Sequence, residues 1–203
     1  MTALLVGIGL GFTVAASFGP INVFGLSNGL RYGFWPAFGV LVGATAADGL
    51  YAFLGGLGVA AVFTGKAEGW FQILGGAALL LIAARIVRPE SEEDGQRAVP
   101  GFRRSFAVAL GATLANPLTI VYWAAAFAGV VPKFDLSRVE ALTLLPAGVV
   151  FGGLCWALLL AAGSAFAGRY VNERLLAWLS FASAALVAGF GSWFVVSGIR
   201  ALA

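Results

Sequence analysis

The sequence predicts an all-α integral membrane fold: six transmembrane helices arranged as two inverted three-helix repeats, the first helix of each repeat broken at a proline. Three observations predict it. Of the 203 residues, 61% are hydrophobic and only 10% charged, against about 25% charged in a soluble domain. Six apolar stretches approach the roughly 20 residues needed to cross ~30 Å of hydrocarbon. A Gly-Pro pair falls inside the first of them and an Asn-Pro pair inside the fourth.

The six stretches cover residues 4–30, 35–63, 70–87, 105–131, 141–167 and 175–199. Met1-Thr2-Ala3-Leu4 lacks the positive start of a signal peptide, so the first stretch is expected to stay as a transmembrane helix. Between the third and fourth stretches runs the one strongly polar segment, RPESEEDGQRAVPGFRR, with Pro89, Gly95 and Pro100 as breakers. It reads as a solvated linker. The chain is then one transporter-like domain: repeat one over 1–88, a polar linker over 89–104, and repeat two over 105–203.

Charge sets an expected orientation. The loops joining spans one to two, three to four and five to six carry Arg31, Arg85, Arg88, Arg97, Arg103, Arg104, Arg169 and Arg174. The opposite side has Lys66, Lys133, Arg138 and Arg200. The positive-inside bias makes the first side cytoplasmic and both termini extracytoplasmic. The net charge of +3 is accounted for by these loops. No basic face with interleaved aromatics suggests nucleic acid.

Trp35, Trp70 and Trp178 lie near span ends, as in an interfacial aromatic belt. Small residues recur at Gly25, Gly29 and Gly33, and at Gly39, Gly43 and Ala47, a spacing that lets helix backbones approach in lipid. Such faces permit a homodimer without demanding one. The chain has no histidine and one cysteine, Cys155 in an apolar run. That excludes an intrachain disulfide and His-liganded zinc, and Cys155 reads as a packed small residue. No metal site or cofactor is expected.

The candidate site begins at the breaks. A proline inside a helix lacks an N–H and clashes with the carbonyl four residues earlier. Gly19-Pro20 would free the Ala16 carbonyl, and Asn116-Pro117 that of Thr113. In hydrocarbon an unpaired carbonyl costs several kcal/mol unless it is buried in protein or faces a wet cavity. One such proline is a kink that Ser17 or Thr113 could repair. Two, in the first helix of each oppositely inserted half, match the layout of a secondary transporter. Asn22, Asn116 and Thr119 lie beside the breaks, where they could receive a polar solute or satisfy the loosened backbone.

Asp48 is the one acid or base deep inside a predicted span, in Gly43-Ala44-Thr45-Ala46-Ala47-Asp48-Gly49-Leu50-Tyr51. A charge at the bilayer centre costs about 2.5–3.5 kcal/mol on insertion scales and by default marks an ion or substrate path. A structural acid satisfied by Thr45, Tyr51 or a neighbouring Asn is the plainer alternative. Candidate binding residues are thus Asp48, Asn22, Asn116, Thr119 and Thr45, with Gly19, Pro20 and Pro117 making the breaks.

Gly19-Pro20, Leu30-Arg31-Tyr32-Gly33, Ala47-Asp48 and Asn116-Pro117-Leu118-Thr119-Ile120 together resemble the LysE/RhtB superfamily of amino-acid exporters over essentially the whole chain. The resemblance implies a multi-pass translocator of the bacterial inner membrane that exports amino acids and related metabolites on an ion gradient. It implies that Gly19, Pro20, Asp48, Asn116 and Pro117 are motif positions. Three departures stand out: Phe18 where many members have proline, Ala47 where many have glycine before the acid, and Leu118 where many have lysine.

In the resulting reading the halves rock about a central site. Asn22, Asn116 and Thr119 would hold the solute, and Asp48 a proton or the solute's ammonium group. A metal-ion or inorganic-solute transporter of a related superfamily would want several carboxylates, thiols or imidazoles. An intramembrane enzyme would need a partner acid or nucleophile for Asp48, and no spacing supplies one. A non-transporting scaffold would require a dry interior around Asp48.

Overall fold

A computed structural model describes residues 1–17, 19–57, 66–87, 100–170 and 172–202. Phe18 and linker residues 88–99 lie outside them. The described residues form helices and no strands: α1 (Thr2–Ala16), α2 (Pro20–Tyr32), α3 (Phe34–Gly56), α4 (Lys66–Val87), α5 (Phe102–Leu114), α6 (Pro117–Lys133), α7 (Arg138–Leu142), α8 (Leu144–Gly168) and α9 (Glu173–Leu202).

Local chemistry explains the ends. Pro20 and Pro117 are the first residues of α2 and α6, where a missing N–H costs nothing and the fixed φ suits a helix start. The prolines therefore begin new helices instead of kinking old ones, and α1 and α2 meet at 72°. Gly33 joins α2 to α3 alone, at φ 86°, a left-handed backbone that only glycine adopts cheaply. Ser137 and Glu140 form a reciprocal capping box at α7, satisfying two otherwise orphaned donors. Helix α5 starts after Gly101, so Arg103 and Arg104 are exposed residues of its first turn and not part of the linker.

By length and apolar composition, 34–56, 138–168 and 184–202 can each cross a membrane, and the bent α1–α2 pair makes a fourth. The expected third and fourth spans are not among these four. Helix α4 has 22 residues, with an apolar stretch over Gln72–Leu81 among them. Helices α5 and α6 are interrupted at Ala115-Asn116, and α5, of 13 residues, is about 20 Å long at 1.5 Å per residue. Large apolar side chains including Leu5, Leu81, Leu159, Phe166 and Trp178 lie exposed on the outer faces, a surface suited to hydrocarbon.

The helices pair mainly as α1 with α8, α5 with α3, α3 with α8 and α4 with α9. Glycines bring the first two pairs to backbone contact. A Cβ on Gly148 or Gly152 would strike the carbonyl of Leu4 or Ile8 on α1. A Cβ on Gly39 or Gly43 would strike the carbonyl of Phe102 or Phe106 on α5. In both pairs, two glycines one turn apart on a long helix thus receive two carbonyls one turn apart on the opening helix of the other half. Without a hydrophobic force between helices in lipid, such close van der Waals packing is what holds them.

The same contacts give directions. Helix α1 runs parallel to α8, and α3 parallel to α5. Helices α3 and α8 are antiparallel, with Gly49 against Val150 and Thr45 against Gly153. Helices α4 and α9 are antiparallel too, with Gly69 against Gly198 and Gly76 against Gly191. Leu30 meets Gly168 and Phe102 meets Gly39, so Arg31, Arg103, Arg104 and Arg169 gather at one end. From the middle toward the other, Trp123, Tyr51, Phe127, Leu136, Leu145 and Ala3 form one apolar cluster.

Candidate functional site

The site is built around the two breaks and the middle of α3. At the first break the Asn22 side chain, buried on the opening turn of α2, turns back over the gap. Its Nδ2 donates to the Ala15 and Ser17 carbonyls, each at 2.6 Å. Its Oδ1 accepts the indole N–H of Trp156 on α8 at 3.0 Å. Trp156 is itself held edge-on to Phe12 of α1, with ring centroids 5.7 Å apart. All three polar groups of the Asn22 amide reach partners, so this side chain satisfies the loosened backbone. Ser17 bonds to Thr13 through its hydroxyl.

The second break is repaired differently. The carbonyl of Thr113, which Pro117 cannot serve, accepts from the Asn116 N–H at 3.1 Å. The Leu114 carbonyl, last of α5, accepts the hydroxyl of Tyr51 on α3. The Thr119 N–H donates to the Asn116 carbonyl at 3.2 Å as α6 begins. The Thr113 hydroxyl is buried and, among the described residues, has no hydrogen-bond partner.

One turn before Tyr51, on the same face of α3, the half-buried Asp48 accepts the indole N–H of Trp123 on α6 at 2.9 Å. A carboxylate acceptor makes this a charge-assisted bond, stronger than one between neutral groups. Trp123 is 1% exposed and packs edge-on against Tyr122 and Phe127. Asp48 and Tyr51 thus grip the chain on either side of the α5–α6 break.

The remaining sequence candidates divide. Thr119 and Asn116 are half-buried at the second break. Thr45 is buried, bonds to the Leu41 carbonyl at 2.9 Å and packs on Gly153 of α8. Gly19 caps α2 in extended conformation, its carbonyl accepting the Val23 N–H at 3.1 Å. Cys155 is half-buried beside Trp156. Among the described residues no three acidic, thiol or imidazole groups converge as a metal site would require.

Sequence reasoning passed over Trp123 and Trp156. Unlike Trp35, Trp70 and Trp178, both stand near the middle of a predicted span, far from the interface where an indole N–H can reach water. A tryptophan at that depth needs a buried acceptor, and that signal was available in the sequence.

A family model described as LysE type translocator matches residues 12–198. The chain is 28% identical over 207 residues to a Bacillus subtilis (strain 168) protein named "Putative amino acid efflux protein YcgF", covering all of this chain and 99% of that protein. No solved structure matches it. With a match across nearly its whole length, from before the first break to the last turns of α9, this chain belongs to the LysE type translocator family.

Proposed function

We propose that this chain is a secondary active exporter of amino acids or related small metabolites, working by alternating access in the bacterial inner membrane. Transport is coupled to a proton or another ion through Asp48. The family is one of translocators, and the full-length Bacillus relative carries amino acid efflux in its name.

The helix pairing supports two inverted repeats, with six crossings in all. Exchanging the halves maps α1 on α8 into α5 on α3, and leaves α3 on α8 and α4 on α9 as they are. The parallel and antiparallel senses of these pairs are those of six alternating crossings. The gathering of Arg31, Arg103, Arg104 and Arg169 at one end supports a cytoplasmic assignment for that end.

The observation that carries the reading is the Asp48–Trp123 contact beside a broken helix. A carboxylate at this depth can take a proton or a solute ammonium, and broken helices at the midplane are where transporters keep their sites. Asn116 and Thr119 line the solute path with it, and the unpartnered Thr113 hydroxyl offers a further polar contact. Asn22 and Thr45, whose side chains already bond to backbone carbonyls, hold the helices around that path.

Proteoliposomes loaded with individual amino acids test this. Wild-type protein should move at least one of them when an ion gradient is imposed, and Asp48→Asn should abolish the gradient-driven part. Undiminished gradient-driven flux in the variant would remove Asp48 from the mechanism. Absence of flux with every amino acid would overturn the substrate class.

A further inference from the structure

Each broken helix is joined to a long helix by one indole hydrogen bond, but the two bonds differ in kind. On the first break, Trp156 of α8 donates to the neutral amide of Asn22 on α2. On the second, Trp123 of α6 donates to the carboxylate of Asp48 on α3. Exchange of the halves relates the two helix pairs, yet places the indole on the long helix in one and on the broken helix in the other.

We propose that α6 is the moving arm of the transporter, that α2 is fixed, and that Trp123 is the positioning residue linking the occupancy of Asp48 to the movement of α6. The inference rests on the transport reading above for its purpose, but its test does not.

Three independent observations support it. First, the amide of Asn22 ties α2 to α1 through the Ala15 and Ser17 carbonyls and to α8 through Trp156. A cation has little to gain from displacing a neutral amide's donor. Second, among the described residues α2 packs against α3, α8 and α9, whereas α6 packs mainly against α3, with small contacts to α4 and α5, and enters the apolar cluster through Trp123 and Phe127. An element with few packed neighbours opens at lower cost. Third, the grip on the second break is divided. Tyr51 holds the last carbonyl of α5, while Trp123 donates to the carboxylate. A proton or ammonium arriving at Asp48 neutralises the carboxylate's charge, so the indole N–H loses its charge assistance. Its arrival weakens the hold on α6 while α5 stays pinned by Tyr51, so the Ala115-Asn116 turn between them becomes the hinge.

Hydrogen–deuterium exchange of the full-length protein in lipid nanodiscs tests the assignment. Trp123→Phe and Asp48→Ala should each speed exchange in Pro117–Lys133 by about tenfold, the loss expected for one charge-assisted bond, and leave Pro20–Tyr32 near wild type. The double variant should be no faster than either single one, because both remove the same contact. Trp156→Phe should leave α6 unchanged. Equal or greater loosening of α2 than α6 in Asp48→Ala, or an unchanged α6 in both single variants, would overturn the proposal. Should Trp123→Phe fail to fold, Asp48→Ala removes the same bond from the other side and decides alone. Since exchange is read without a substrate, failure of the flux assay would strike the transport reading and leave this result standing.

Discussion

Trp156 and Asn22 join helix α8 to the first break of the chain, indole N–H to amide oxygen across 3.0 Å. The same amide spends its two N–H groups on the Ala15 and Ser17 carbonyls. One side chain thereby repairs a broken helix and fastens it to the opposite half.

Asn22→Ala should therefore leave two carbonyls and one indole N–H without partners in a buried place. A loss of about 2 kcal/mol is expected, within the range for unsatisfied buried groups. Thermal unfolding in detergent should show a lower midpoint for Asn22→Ala than for Trp156→Phe, which removes only one of the three bonds. Equal midpoints for Asn22→Ala and wild type would show that the amide is not what closes the break.

Tyr51→Phe removes the partner of the Leu114 carbonyl but keeps the ring. We expect a cost of about 1 kcal/mol and faster amide exchange at the Ala115-Asn116 turn, with Asp48 and Trp123 still in contact. On the transport reading proposed above, the variant should retain ion coupling in a flux assay while turning over more slowly, since the proposed hinge loses its fixed end. Loss of coupling with unchanged turnover would assign Tyr51 to ion handling instead.

Gly148→Val should be among the most damaging single changes. Its Cβ would meet the Leu4 carbonyl and come within 2.9 Å of Gly7 Cα, so α1 and α8 could not stay in contact. A loss of at least about 2 kcal/mol is expected from overpacking that only a backbone shift can relieve. Gly9→Ala is the control. Nothing lies within 4 Å of a Cβ there, and the change should stabilise α1 by up to about 1 kcal/mol through helix propensity. Unfolding midpoints of the two variants, measured side by side, check the contrast.

Much of this was legible in the sequence because hydrocarbon is an unforgiving solvent. Apolar runs had to be helices, and Gly19-Pro20 and Asn116-Pro117 had to interrupt them, since a proline cannot complete the backbone ladder. Asp48 stood out because a lone carboxylate in such a run is costly. The stripe Gly39–Gly43 signalled a close helix contact, though not with which helix. The polar stretch up to Arg104 was read as linker, while the chain re-enters helix at Phe102. Propensity places such an end only to within a few residues.

What the sequence by itself determined, then, is the solvent, the helical class, the two interruptions and the one acid deep in an apolar run between them. These follow from composition and from the covalent chemistry of proline, which act locally. Only the tertiary structure decided who satisfies whom. It gave Asp48 the indole of Trp123, gave the Leu114 carbonyl the hydroxyl of Tyr51, and closed the amide of Asn22 onto the backbone beside it. Those pairings join residues as far apart as Asn22 and Trp156 in the chain. No local rule fixes them, because each depends on which helix faces bring their glycines together.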